Sequence, residues 1–318
     1  MFQRVIRATL VVLILSAAGD LHAGTEAALK KTHIVMGGTT LGIRSTAQQD
    51  MEVAFNAAMS EFLKGSGTDL RVKIYAGTQE LYAAFDKHEI DGIFGTAVEY
   101  FGREGQYGKD VMALGYTNGG VKQSFVVVAR RSGGIATLED LRSKRLTLAK
   151  YQDTEAIYLN TLLLKRRLPE IPVFFLERAD AKNPNIAIMD VFFNRSDVTV
   201  VRESEYLTAN ELNPQIDKQL FILTKSPPYI PALGSVRKEI SGENIDNLAK
   251  AIRKYGSTDS GRKVLSISQA NSIEVVSAED IQSVRGLLSE YQSLKKMNNA
   301  NAIAPQPVAK MRSRRNAQ

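Results

Sequence analysis

The stretch from Gln123 to Lys150 constrains the fold more than any other part of this chain. It begins with an apolar, β-branched run, Phe125 to Ala129, which is typical of a buried strand. A Ser-Gly-Gly turn and a short helix follow, with Thr137 as the predicted N-cap and Asp140 in place of the capping-box glutamate. A second strand, Arg145 to Ala149, ends the stretch. A strand that leaves one α/β unit and opens another predicts a crossing between two lobes.

The same pattern recurs later in the chain. The apolar strand Leu220 to Thr224 is followed by Lys225 to Pro228, which is rich in strand-breaking residues. Two crossings imply two lobes, with a cleft between them and a hinge beneath it. We therefore predict an α/β fold in which residues 24–122 and 225–296 form lobe 1 and residues 123–224 form lobe 2.

The first part of lobe 1 alternates strands and helices, as parallel sheets do. We predict strands at residues 31–36, 70–75, 91–95 and 111–115, and helices at residues 45–64 and 79–87. Such sheets take ligands at the carboxyl ends of their strands. This rule places Gly95, Thr96, Glu99 and Tyr100 near the cleft.

The loop after the first strand contains glycines and hydroxyl groups, with Thr39 and Thr40 at its centre. Its glycine spacing matches neither a dinucleotide-binding motif nor a P-loop. Backbone N–H groups ahead of a helix still suit a small anion or polar ligand, and Arg44 adds positive charge. A simple turn explains the loop equally well.

The second half of the chain continues the alternation. We predict helices at residues 154–167 and 186–193, and strands at residues 173–176 and 197–201. Helices at residues 245–255, 260–265 and 278–296 follow the return crossing. Apolar residues recur at helical spacing in the last of these helices, at Ile281, Val284, Leu287, Leu288 and Tyr291.

The two ends of the chain differ from the rest. Arg4 and Arg7 precede a short apolar run, so residues 1–23 are predicted to be a cleaved signal peptide. No cysteine follows that could carry a lipid anchor, which indicates a free protein in the periplasm. The tail, residues 297–318, has four basic side chains and no acid, and we expect it to be disordered. Much of the net charge of +7 therefore lies outside the folded part, which argues against nucleic-acid binding.

The composition also limits the chemistry. The chain has no cysteine, which excludes disulfides, thiolate metal sites and cysteine nucleophiles. Its histidines, His22, His33 and His88, are too scattered to suggest a metal site. No sequence motif of a catalytic nucleophile or metalloprotease occurs. We expect neither an enzyme nor a cofactor.

Six segments in a fixed order carry a family resemblance. They are VKIYAG at 72–77, EIDGIFG at 89–95, ATLEDLRSKRLTLA at 136–149, FNRSDVTV at 193–200, KSPPYIP at 225–231 and YGSTDSGRKVL at 255–265. With these segments, the chain resembles the phosphonate-type periplasmic substrate-binding proteins of ABC importers from about Thr32 to Leu294. The resemblance implies the two-lobed fold of a type II periplasmic binding protein, which closes on a small-molecule ligand.

The resemblance also implies where a ligand binds. Members that take phosphonates carry a Ser-Thr-Ser-Gly turn at the start of a second-lobe helix, and the matching segment here places Thr154 between Asp153 and Glu155. A carboxylate beside a phosphonate dianion costs about 1 to 4 kcal/mol per charge pair. Phosphonate and phosphate are therefore disfavoured unless a basic side chain compensates. The candidates for this role are Lys150, Arg44 and Arg178.

In the family, acids of the second lobe meet a ligand amine. Asp197 matches one of these acids, although it also suits a simple strand start, and Asn185 stands at roughly the position of another. The complete set of predicted ligand-binding residues is Thr39, Thr40, Arg44, Thr96, Tyr100, Asp153, Thr154, Glu155, Asn185 and Asp197.

These residues lead to one main hypothesis and two alternatives. We predict a monomeric periplasmic solute-binding protein that takes a small polar metabolite, on which an amino group would suit the acids, and serves an inner-membrane ABC permease and ATPase. The first alternative is a ligand-sensing subunit for a membrane receptor or histidine kinase. The second alternative, an enzyme, has no motif in its support.

Overall fold

The structure is a computed structural model that describes residues 32–39, 48–64, 68–116, 119–150, 152–240 and 270–303, together with single positions between 241 and 269. The strands are β1 (Thr32–Thr39), β2 (Thr68–Tyr75), β3 (Gly92–Thr96), β4 (Val111–Tyr116), β5 (Gln123–Arg130), β6 (Arg145–Ala149), β7 (Glu177–Ala181), β8 (Val198–Arg202), β9 (Leu220–Tyr229), β10 (Ala232–Val236) and β11 (Ala270–Val276). The helices are α1 (Gln48–Phe62), α2 (Thr78–Asp86), α3 (Ala97–Phe101), α4 (Asp153–Lys165), α5 (Ile171–Phe174), α6 (Pro184–Phe192), α7 (Glu203–Leu212), α8 (Gln215–Gln219) and α9 (Gln282–Ile303).

The strands form two sheets. The first has the order β11-β4-β10-β3-β1-β2, and the second has the order β7-β6-β8-β5-β9. Strands β1, β2 and β3 are mutually parallel where they pair, which confirms the predicted βαβαβ unit. The chain leaves the first sheet after β4 and returns to it at β10, so it crosses between the sheets twice. The predicted two-sheet α/β architecture is thereby confirmed.

Strand β5 shows why an unbroken apolar run forms the centre of the second sheet. Successive side chains of a strand point to opposite faces. Phe125 and Val127 belong to the core cluster that contains Leu159 of α4, whereas Val126 and Val128 pack with apolar residues of α6 and α7. Because both faces are covered, every residue from Phe125 to Ala129 is buried.

The return crossing lies later than predicted. The expected end of a strand at Thr224 is wrong, because β9 continues through both prolines to Tyr229, opposite Gln123 of β5. Strand β9 is at the edge of its sheet and has no neighbouring strand on its outer side. A proline there, which lacks an N–H, therefore leaves no hydrogen-bond acceptor of another strand unpaired on that side. The Ser226 hydroxyl accepts the N–H of Phe125 at 2.7 Å beside a shift in register.

Two further predictions about lobe 2 need correction. Residues 173–176 are not a strand: α5 ends at Phe174, and the strand that follows is β7, with the polar sequence ERADA. The apolar pattern of a short run does not distinguish a helix from a strand, so the sequence of residues 173–176 alone could not assign this segment. Thr137 is also not the N-cap, because the helical turn begins at Glu139 with Leu138 before it, although Asp140 accepts the backbone N–H and the hydroxyl of Thr137 at 2.8 and 2.9 Å, as a capping-box acid does.

The last helix joins parts of both halves of the chain. Its predicted residues Ile281, Val284, Leu287 and Tyr291 are buried and Leu288 is half-buried. The ion pair of Arg285 with Glu104 anchors α9 beside α3, and the Tyr291 hydroxyl reaches Glu170 near α5 at 2.5 Å. The helix continues to Ile303, past the predicted end at Lys296. The signal peptide, residues 304–318 of the tail and most of the predicted helices at 245–255 and 260–265 lie outside the described residues.

Candidate functional site

The candidate site begins where β6 ends and α4 starts. Lys150 donates its N–H to the carbonyl of Ala181, and Gln152 precedes the helix as N-cap residue. Within the described chain, no side-chain hydrogen bond caps this end of α4. The first N–H groups of a helix have no partner inside it, so this turn offers donors and a positive dipole end.

Two polar side chains in this turn are buried, and each has an oxygen atom without a hydrogen-bond partner among the described residues. Thr154 is only 1% exposed, and no described residue hydrogen-bonds its hydroxyl. Gln152 is 5% exposed; its amide nitrogen donates to Glu205 at 3.1 Å, but its oxygen also lacks a partner among the described residues. A buried polar atom without a partner costs about 1 to 3 kcal/mol. Such atoms, side by side at a helix start, are what a polar ligand would complete.

Asp153 connects this turn to the first sheet. Its Oδ2 atom lies 3.5 Å from the hydroxyl of Thr96, the N-cap of α3. Although part of the Asp153 side chain remains exposed, burial raises its pKa to about 6, and the negative charges of Glu99 and Glu155 add to the increase. The structure thus brings the predicted residues Thr96, Asp153 and Thr154 together across the two sheets.

Glu99 lies behind Thr96 and is 1% exposed. Its carboxylate accepts the N–H of Thr96 at 3.0 Å and the hydroxyl of Thr78 at 2.9 Å, while the Thr39 hydroxyl lies 3.5 Å away. Gly95 makes this approach possible, because a Cβ there would lie 2.4 Å from Glu99 Oε2. The predicted Thr39 therefore joins the site through Glu99.

A charged network supports α4 from behind. Arg202, at the end of β8, donates from Nε to Glu155 at 3.1 Å, and its guanidinium lies 4.5 Å from the ring centre of Tyr116 at the end of β4. Its backbone N–H donates to Glu205 at 2.9 Å. Burial raises the pKa of Glu205 to about 7, and the charge of Glu155 contributes to the shift. The predicted Glu155 is therefore an ion-paired, buried residue that holds the helix start in place.

Other predicted residues lie elsewhere. Tyr100 is buried in the core of lobe 1, where its ring stacks on Tyr107 at a centroid distance of 4.9 Å. Asn185 is exposed on the first turn of α6. Thr40 and Arg44 lie outside the described residues.

Asp197 and Thr154 lie at opposite ends of the strands of the second sheet: Asp197 precedes β8, whereas Thr154 follows β6. The first residue of β8, Val198, pairs with Leu146 near the start of β6. The Asp197 carboxylate accepts the backbone N–H of Arg145 at 2.8 Å and a guanidinium nitrogen at 2.8 Å, and the Arg145 side chain lowers the pKa of Asp197. This geometry agrees with the alternative interpretation of Asp197 as a strand-start residue.

Sequence reasoning missed Gln152, Thr78, Arg202 and Glu205. Thr78 follows the carboxyl end of β2, so the rule that selected Thr96 could have found it. Arg202 is the last residue of β8, so the same rule could have found it. The described residues contain no group of three or more histidine, cysteine, aspartate and glutamate side chains placed to hold a metal. No helix among them is long and apolar enough to cross a membrane.

Comparisons with solved structures support the fold. A binding protein component of an ABC phosphonate transporter from Pseudomonas aeruginosa has a TM-score of 0.60 at 17% identity, covering 85% of this chain and 90% of that one. A Xanthomonas citri protein bound to ATP has a TM-score of 0.61 at 14% identity, covering 83% and 98%. PhnD1 from Prochlorococcus marinus, in complex with methylphosphonate, has a TM-score of 0.60 at 12% identity, covering 84% and 99%.

No curated protein sequence matches this chain significantly. The sequence profile described as "ABC transporter, phosphonate, periplasmic substrate-binding protein" matches residues 42–281, well over half of the chain. The resemblance seen in the sequence is confirmed, and so is the two-lobed class of fold. The chain belongs to the phosphonate-type periplasmic substrate-binding proteins of ABC transporters.

Proposed function

We propose that this chain binds a small polar metabolite, other than a phosphonate or phosphate dianion, at the start of α4 between the two sheets. It would then deliver this ligand to a membrane permease and its ATPase. The observation that carries the proposal is the Thr154 hydroxyl, which is 1% exposed and has no hydrogen-bond partner among the described residues. Family membership supports import over the sensing alternative.

The need for a polar ligand follows from the incomplete groups in this turn. The Thr154 hydroxyl can donate one hydrogen bond and accept up to two, and the Gln152 oxygen can accept two. The first N–H groups of α4 supply further donors. A ligand with both acceptors and donors satisfies this set, whereas an apolar ligand would leave the desolvation cost in place.

The charge around the turn argues against a dianion. Glu99, Asp153, Glu155 and Glu205 surround it; among the described basic residues, Arg202 pairs with Glu155, and the charge of Arg178 lowers the pKa of Asp153. At about 1 to 4 kcal/mol of repulsion per charge pair, two nearby carboxylates outweigh the attraction of one helix end, which contributes about 0.3 to 2 kcal/mol. The bound methylphosphonate and ATP of the structural neighbours therefore do not transfer simply to this site.

Export, lobe closure and a monomeric state complete the proposal. Residues 1–23 would be removed on export, and the predicted lobes, 24–122 with 225–296 and 123–224, would close on the ligand about the two crossings, with the second crossing moved to the end of β9 at Tyr229. The positions of the two sheets on either side of the Thr96 and Asp153 contact support this division. We propose no catalytic activity.

Calorimetry of the exported protein tests the choice of ligand. Phosphate and methylphosphonate are compared with neutral and amino-bearing metabolites, in the native chain and in Thr154→Ala. We expect the polar metabolites to bind more tightly than phosphate, and the substitution to weaken their binding. Submicromolar phosphate binding that Thr154→Ala leaves unchanged would contradict the proposal.

A further inference from the structure

Two carboxylates, one on helix α3 beside the first sheet and one on helix α4 beside the second, meet at one hydroxyl group. Thr96 Oγ1 lies 3.4 Å from Glu99 Oε2 and 3.5 Å from Asp153 Oδ2, and it also accepts the N–H of Glu99 at 3.2 Å. A threonine hydroxyl has a single proton to donate. One of the two carboxylate contacts therefore lacks a proton whenever both acids are ionised.

Within the described part of the chain, no ion pair balances the charge of Glu99 and Asp153, although Arg178 lowers the pKa of Asp153 through its charge. Among the described residues, no lysine, arginine or histidine forms an ion pair with Glu99 or Asp153, and the nearby Arg202 pairs with Glu155 instead. The groups that bond Glu99 are neutral donors. The incomplete Thr154 hydroxyl and Gln152 oxygen lie in the same helical turn as Asp153 and add an independent sign that a ligand is missing here.

We infer that Glu99 and Asp153 form a subsite for a primary ammonium group of the ligand, with Thr96 between them and Gln152 as a further acceptor. This inference rests on the proposed function and names its substrate class. An ammonium group has three protons, enough for one carboxylate from each helix and one neutral acceptor. Because the two helices lie beside different sheets, the same cation that satisfies both acids also holds the sheets together at this point.

The groups facing Asp153 determine how the subsite responds to pH. They are Thr96 and Glu99 from the first sheet's side, Glu155 from its own helix, Arg178 from β7 and Tyr82 from α2. The acids among them make Asp153 easier to protonate than an ordinary aspartate. A bound cation reverses this effect, so binding releases protons near pH 6.

Paired ligands that differ by one amino group test the inference. The probes are 2-aminoethylphosphonate against ethylphosphonate, and 4-aminobutyrate against butyrate, titrated by calorimetry into the exported full-length protein at pH 7.5. We expect the amine to bind at least about ten-fold more tightly than its partner in one pair or both, which corresponds to about 1.4 kcal/mol.

Conservative variants assign the preference to the two acids. Glu99→Gln keeps a capping-box oxygen for the Thr96 N–H and should reduce the preference to less than about two-fold, as should Asp153→Asn. Glu139→Gln, which removes an exposed acid paired with Arg166, is the matched control and should keep the preference. Thermal unfolding shows which variants are folded. If Glu99→Gln does not fold, Asp153→Asn alone tests the inference.

Three results would overturn the inference. They are equal or tighter binding of the amine-free probes, an amine preference that survives in both variants, and no binding of either amine at millimolar concentration. The proposed function fails separately, either if the neutral metabolites also fail to bind or if phosphate binds at submicromolar concentration and Thr154→Ala leaves that binding unchanged.

Discussion

Asp153 and Asp197 lie at opposite ends of the second sheet and differ in almost every respect except residue type. Both were predicted to bind ligand. Asp197 has a guanidinium and a backbone N–H of Arg145 as partners, whereas the described contacts of Asp153 lead only to the Thr96 hydroxyl. Accordingly, the pKa of Asp197 is lowered and that of Asp153 is raised to about 6. We therefore propose that Asp153, whose described contacts include no cation, and not Asp197, takes its partner from the ligand.

Removing Asp197 should have the largest effect, and on stability rather than on binding. Asp197→Ala leaves the partly buried Arg145 without its ion-pair partner, so we expect the free energy of unfolding to fall by about 2 to 4 kcal/mol. Urea denaturation measures it. Asp180→Ala, which breaks an exposed pair with Arg178, should cost less than about 1 kcal/mol. A loss of ligand affinity in Asp197→Ala without a loss of stability would reinstate Asp197 as a binding residue.

Glu205 extends the comparison to an acid that is hydrogen-bonded and half-buried. Its pKa of about 7 is above the ordinary value of 4.5, so the folded protein holds a proton that the unfolded chain has lost between these pH values. Stability should therefore decrease as the pH rises from about 4.5 to 7, by on the order of 2 to 3 kcal/mol from this group.

Denaturation midpoints across this pH range test the effect. Glu205→Gln should flatten the profile, because glutamine keeps an acceptor for the Arg202 N–H but does not titrate. A profile of the same slope in both proteins would mean that Glu205 has an ordinary pKa.

Thr154→Val tests whether a side chain at the start of α4 contributes to ligand binding and not to stability. Valine has nearly the same shape but no hydroxyl, and the hydroxyl of Thr154 has no described partner to lose. We expect stability to change by less than about 1 kcal/mol and ligand affinity to fall about ten-fold. Thr199→Val is the control, since Thr199 also has a buried, unpartnered hydroxyl among the described residues but lies inside β8. Equal affinity in the native chain and Thr154→Val would exclude the hydroxyl from the site.

The pH dependence of binding gives the smallest expected effect. Protonation of Asp153 removes one of the charges that an amine requires, so affinity for an amine should decline several-fold as the pH falls from 7 to 5, with a midpoint near 6. Calorimetry with 4-aminobutyrate, whose own groups do not titrate between pH 5 and 7, follows this decline. Asp153→Asn should bind weakly and show little change over the same range, and an unchanged midpoint in that variant would assign the titration to another group.

Much of the fold could be predicted because its signals are local. The β-branched run at Phe125 to Ala129 and the spacing of Ile281, Val284 and Leu287 depend only on neighbouring residues and on burial. Strand β7 was missed because a polar edge strand has no apolar pattern, and its place in the sheet comes from pairing with β6. The end of β9 was predicted too early for the same reason. A strand can contain prolines when it lies at the edge of a sheet, and that position comes from pairing with β5.

The candidate site was only half predictable. The rule for carboxyl strand ends found Thr96, and the family pattern found Asp153 and Thr154. Whether an acid is already paired depends on contacts between distant segments, such as the contact of Arg145 with Asp197 across 52 positions of the chain. Residue type and position in the sequence could not separate Asp153 from Asp197.

Native mass spectrometry of the exported protein, compared with Thr154→Val and Asp153→Asn, tests the central claim most directly. We predict that the native chain retains a small polar molecule with a primary amine and that both variants lose it. A retained phosphate or phosphonate without an amine, still bound in both variants, would contradict the site that we place at the start of α4.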